Sequence, residues 1–200
     1  MPIPTGVAGP VPDGQDPDEY DRRRRRVLWS MPTGLFVVGS RSGTTANLMT
    51  ANLVMQVATN PKLVAVAVET GSVTAGLIRQ SGRFAVSILA RADRSIVRRF
   101  VKPARDIEFG PDGTITAIQG ELVIEVGDGL PALPSAVGWL ACEVRHTVET
   151  EIAPGEVGSH ALFIGEVVNA GELAAGDGGG PPDAAVEVLR MEDTRMNYGG

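Results

Sequence analysis

From residue 34 onward the chain alternates short apolar runs with turn-forming residues. The runs Gly34-Leu-Phe-Val-Val-Gly39 and Leu63-Val-Ala-Val-Ala-Val68 are too short for helices and rich in β-branched side chains, so they predict buried strands. Residues 50–58 (TANLVMQVA) fit another strand between them, and 83–89 (RFAVSIL) alternates as a further one. Gly110-Pro-Asp-Gly113 and Gly127-Asp-Gly-Leu-Pro131 read as turns around a short strand at 121–126. Leu140, Cys142, Val144, His146 and Val148 alternate with polar or small residues, which predicts a half-buried strand with His146 on its inner face. A seven-residue connection, IAPGEVG, leads to a strand at 160–168, and the two should pair as an antiparallel hairpin. A last strand is expected at 186–189 after the loop at 171–183. Helical spacing occurs in two places besides the N-terminal region. Ser72 is placed to cap SVTAGLIRQ with Gly82 as its stop, and Asp93 to cap DRSIVRRFV, with Ile96, Val97 and Phe100 on one side. The expected fold class is therefore mainly β, an antiparallel, closed or partly closed barrel with a few short helices, because closure removes exposed edges.

The first twenty residues lack this texture. They are rich in Pro, Gly and Asp without an apolar period and read as a flexible arm. They also lack the basic start and apolar stretch of roughly 7–15 residues of a secretory peptide, and no window reaches the ~18–20 apolar residues of a membrane span. In PDEYDRRRRRVLWSMP, acids four residues before arginines support a helix that Pro32 stops. The run Arg22 to Arg26 is then a solvated helix face, neutralised by the acids before it.

With 200 residues, 43% of them hydrophobic, the chain can build one core; a domain is expected over 21–170, with residues 171–200 as loop and C-terminal strand packing on it. A net charge of −6 argues against nucleic acid or an anionic membrane as partner. One cysteine, Cys142, excludes an internal disulfide, and with only two histidines a metal site of nitrogen and sulfur ligands is not expected. A reducing, cytoplasmic setting follows as the expectation. Cys142 and His146 read as core residues rather than reactive groups.

The signatures of serine hydrolases, P-loop NTPases, zinc proteases and Rossmann dehydrogenases are missing from the sequence. What remains is a set of small polar residues at strand ends and helix starts: Asn47-Leu-Met-Thr50 after the turn at 40–45, and Ser72 with Thr74 opening a short helix, a natural place for a phosphate.

Taken in order, Pro32-Thr-Gly-Leu-Phe-Val-Val-Gly39, Asn47-Leu-Met-Thr-Ala-Asn52, Val57-Ala-Thr-Asn-Pro61 and Ser81-Gly-Arg-Phe-Ala-Val86 resemble the flavin reductase-like family of split-barrel flavoproteins. Downstream, Leu140-Ala-Cys-Glu-Val144 and Gly158-Ser-His-Ala-Leu-Phe-Ile-Gly-Glu-Val167 are similar to that family's strand pair, and Asn197-Tyr-Gly-Gly200 to the ending of some members. The resemblance covers about 28 to 170. It implies an FMN-binding split β-barrel, usually a homodimer, that takes FMN (alternatively FAD) and uses NAD(P)H as co-substrate. Carried over by position, Asn47, Leu48, Met49 and Thr50 would line the flavin ring, largely through backbone groups. Ala58 and Thr59 would continue that wall, and Ser72 and Thr74 would hold the phosphate. His160 matches the family's histidine beside flavin and nicotinamide, with Ser159 where the family usually has Asp. The implied function is an NAD(P)H-dependent flavin reductase supplying a partner monooxygenase. Alternatives are a tightly FMN-bound electron-transfer flavoprotein and a non-catalytic flavin-binding module.

Overall fold

The structure is a computed structural model that describes residues 9–153, 155–172 and 187–194. Most of the expected loop at 171–183, residue 186 of the expected last strand and the ending at 197–200 lie outside the described residues. Backbone contacts divide the chain into two units, the first containing α1 (Pro17–Trp29) and the second, Thr33–Thr194, containing the strands.

In the first unit, Asp16 caps α1 by accepting from Glu19 N–H at 2.9 Å, and Pro17 occupies a position where a missing N–H costs nothing. Three of the five arginines from Arg22 to Arg26 pair with acids of the same helix, one of them through the four-residue spacing of Glu19 and Arg23. Glu19 pairs with Arg23 at 3.5 Å, and Asp21 takes Arg24 at 2.6 Å and Arg25 at 3.1 Å.

The second unit runs β1 (Phe36–Ser42), β2 (Thr45–Ala51), β3 (Val54–Thr59), β4 (Lys62–Glu69), α2 (Val73–Ser81), β5 (Arg83–Ile88), β6 (Ile107–Phe109), β7 (Ile115–Ile118), β8 (Glu121–Leu122), β9 (Ile124–Val126), β10 (Leu130–Ala132), β11 (Gly138–Ala153) and β12 (Glu156–Glu172). Seven strands form one antiparallel sheet in the order β2-β1-β5-β11-β12-β4-β3. No pairing closes β2 onto β3 among the described residues. β9 pairs with β10, and β6, β7 and β8 make a third small sheet.

The sheet is buried on both faces at its centre, which is why β5 is apolar nearly throughout. On one face Val38, Val66, Phe84, Val86 and Phe163 pack under Ala75 and Ile78 of α2. On the other, Ala85 and Ala141 meet Val126, Leu130 and Ala132 of the β9–β10 pair. Ser87 on that face accepts from the Leu133 N–H at 3.0 Å. Gly39 makes this layer possible: a Cβ there would lie 1.8 Å from the Pro131 carbonyl oxygen.

Several expectations need correction. The single strand expected at 50–58 is two, β2 and β3, broken at Asn52 and Leu53, and the two lie at opposite ends of the sheet order. The helix expected after Asp93 is a pair of 3-10 turns, Arg91–Asp93 and Ile96–Phe100, with Ile96, Val97 and Phe100 buried as the pattern requires. The strand at 121–126 is interrupted into β8 and β9. The connection expected at 152–158 is mostly strand, since β11 and β12 remain paired out to Ala153 and Glu156. His146 is exposed instead of inward-facing. Register shifts between Ala141 and Cys142 and between Val144 and His146 bury both Ala141 and Cys142 and break the period of two. The end of the chain contributes isolated bridges, Ala90 to Val188 and Gly34 to Arg190, around the buried Leu189.

Candidate active site

The turn between β4 and α2 is fixed at both of its ends. Ser72 N–H donates to the Glu69 carbonyl at 2.9 Å, and the Ser72 hydroxyl oxygen accepts from Ala75 N–H at 3.2 Å, the N-cap that the sequence predicts. At the far end of α2, Gly82 adopts φ 68° and donates to Ile78, closing the helix. The hydroxyl of Ser72 accepts in the cap and retains its proton for donation. Together with the helix's first N–H groups, which have no intrahelical partner, it makes a donor set suited to a phosphate.

Thr70 joins this turn to the start of β12. Its N–H donates to the Ser159 carbonyl at 2.9 Å and its hydroxyl to the Gly158 carbonyl at 2.8 Å. Glu69 and His160 face each other in the β4–β12 register. His160 is exposed, and its Nδ1 lies 2.9 Å from the Ser159 hydroxyl oxygen. Arg79 braces the group: its Nη1 donates to the Thr70 carbonyl at 3.1 Å, its Nε to Glu149 at 3.0 Å, and its guanidinium sits 5.9 Å from the Phe163 ring centroid. The structure thus brings His160 and Ser72 to one end of the sheet.

β2 supplies the second part. Asn47 is 3% exposed; its Nδ2 donates to the Thr74 hydroxyl at 2.8 Å and its Oδ1 accepts from the Ala104 N–H at 2.7 Å. The Thr50 hydroxyl donates to the Val97 carbonyl at 2.7 Å. Leu48 is fully buried and Met49 packs on the α2-side core. These side chains are committed to the interior, and β2 is the terminal strand in the order of the seven-stranded sheet. Thr74 is 1% exposed and its hydroxyl accepts from Asn47, so its side chain ties the helix start to β2. Ala58 is half-buried and Thr59 exposed at the end of β3, at the opposite end of the sheet order from β2. Five strands separate them from Asn47 to Thr50 in the hydrogen-bonding order. Sequence reasoning missed Thr70, Arg79 and the segment at 97–104; their partners lie far along the chain and leave no local signal.

Cys142 is buried beside Phe84, and burial pushes its thiol up to about 12 from an ordinary 9.0. The folded protein therefore holds the proton in a range where the unfolded chain has lost it. This contribution to stability is complete below about pH 9 and is lost as the pH rises from 9 toward 12. Native protein is expected to leave iodoacetamide unconsumed at pH 8 while urea-unfolded protein alkylates fully; rapid native labelling would contradict the buried position. Among the described residues no group of three or more His, Cys, Asp or Glu is placed to hold a metal ion, and no helix is long and apolar enough to cross a membrane.

Comparison with known proteins identifies the family. The chain is 30% identical over 169 residues to an NADH-dependent FAD reductase of Streptomyces globisporus, covering 84% of this chain and 86% of that protein. Among solved structures it resembles the NADH:FAD oxidoreductase SgcE6 of Streptomyces globisporus C-1027, with a TM-score of 0.61 and 27% identity over 82% of this chain and 89% of the other. It also resembles the styrene monooxygenase flavin reductase of Pseudomonas putida S12, with a TM-score of 0.57 and 28% identity over 74% and 85%. Residues 28–183 match the flavin reductase like domain as a family, and the chain belongs to that family.

Proposed function

We propose that the protein is an NAD(P)H-dependent flavin reductase that transfers hydride from nicotinamide to FMN or FAD and supplies the reduced flavin to a partner monooxygenase. The observation that supports this most directly is the joint between the turn before α2 and β12, where Thr70 donates to the Gly158 and Ser159 carbonyls and Glu69 faces His160. In this reading the α2 start at Ser72 and Thr74 holds the flavin phosphate, with the Ser72 hydroxyl as a donor, and Asn47, Leu48, Met49 and Thr50 of the terminal strand β2 line the ring. The bound flavin supplies a two-electron acceptor, to which the nicotinamide delivers its hydride while a proton comes from solvent. The protein's work is to stack and orient the two rings, and His160 offers a hydrogen bond at the open face. In this reading Ala58 and Thr59 complete the ring wall as the sheet curls into a split barrel, and a second copy of the chain pairs to form a homodimer. The working domain spans 21–170, with 1–20 and 171–200 as its extensions, and acts in the cytoplasm.

The test is NADH and NADPH consumption by purified protein with and without added FMN or FAD. Consumption is expected only with flavin, and a His160→Ala variant should lose about tenfold or more in kcat/KM, the scale of one hydrogen bond to a charged group. Absence of nicotinamide oxidation with either flavin would overturn the assignment.

A further inference from the structure

The chain carries a net charge of −6, yet residues 91–105 hold six cations against a single acid, Asp93. Two of the six are committed: Arg91 to Glu187 at 2.7 Å and Asp193 at 2.6 Å, and Arg99 to Glu121 at 3.4 Å and the Gln119 carbonyl at 3.1 Å. Arg94, Arg98, Lys102 and Arg105 are exposed and have no acidic partner among the described residues. Four uncompensated cations along twelve residues repel one another, a cost that a polyanion relieves.

Their position selects the anion. Buried Ile96, Val97 and Phe100 anchor the segment in the core, and it is pinned to β2 twice, at Val97 by Thr50 and at Ala104 by Asn47. The same Asn47 amide holds Thr74 in the first turn of α2. The cationic segment, the β2 edge and the helix start therefore converge on one buried side chain. Resting on the flavin reductase reading, we propose that residues 94–105 form the subsite for the pyrophosphate of a dinucleotide, extending the mononucleotide site at α2. Arginine and lysine meet this group through charge-assisted hydrogen bonds to its non-bridging oxygens.

The experiment uses full-length protein and a variant carrying Arg94→Gln, Arg98→Gln and Lys102→Gln. Affinities for riboflavin, FMN and FAD are read by flavin fluorescence, and the KM for NADH with riboflavin as acceptor. If FAD brings the pyrophosphate, its Kd rises roughly tenfold in the variant, and that of riboflavin moves less than twofold. If NADH brings it, the KM for NADH rises by a similar factor with the flavin affinities unmoved. Either result supports the subsite. It is overturned if neither quantity moves, which leaves the cations to an acidic protein partner, or if riboflavin weakens as much as FAD. Failure of the wild-type protein to bind any flavin is a different outcome, which removes the flavin reductase reading and the subsite together.

Discussion

Replacing Gly39 by alanine is expected to destabilise the protein by about 3 kcal/mol or more, at the upper end of what overpacking costs. The added methyl would stand 1.8 Å from the Pro131 carbonyl oxygen. Backbone cannot swing aside as a flexible side chain does, so β1 and β10 must part and open the layer formed by Val126, Leu130 and Ala132. Urea denaturation should show a lower midpoint at nearly unchanged slope. Gly76→Ala in α2 is the natural control, because nothing lies within 4 Å of a Cβ there. It removes a helix-interior glycine and should stabilise by roughly 0.5–1 kcal/mol. Equal midpoints for the two variants would mean that β10 does not lie against β1.

Asn47→Ala should have the next largest effect. The substitution deletes the donor to Thr74 and the acceptor of the Ala104 N–H, and strands both groups where water has little access. A loss of about 2–4 kcal/mol follows from two unsatisfied polar groups at ~1–3 kcal/mol each, reduced by partial relaxation. The damage should reach flavin binding as well as stability, because Asn47 is what holds the α2 start and residue 104 against β2. Flavin affinity measured below the melting transition should fall about tenfold, the equivalent of ~1.4 kcal/mol of lost organisation. A variant that melts with the wild type would show that the amide is not the joint described above.

How much of this was visible in the chain depends on the range of the forces involved. The cap at Ser72 and the stop at Gly82 are local chemistry, and both were legible. So were β1, β4 and β5, whose β-branched runs permit little else, and the β11–β12 hairpin. The break between β2 and β3 was not, because Asn52 and Leu53 carry no glycine or proline to mark it. The outward turn of His146 was hidden for another reason: it follows from register shifts in pairing with a distant strand, which a count of alternate positions cannot contain. At the site, Ser72 was legible from its capping position, and the resemblance pointed to Asn47. The direction of the Asn47 side chain was not legible, since its partners lie 27 and 57 residues away.

The strand order also bears on how the chain can be made. β2, β1 and β5 form one run of the sheet and β4 with β3 another, and only β11 and β12 stand between them. A chain emerging from the ribosome therefore finishes two half-sheets early, each with an open flank, at β5 and at β4. It cannot close them against each other until the residues near 166 are free. Until then the nascent protein carries two sticky edges, and its safe assembly depends on the β11–β12 hairpin, which is synthesised after both half-sheets.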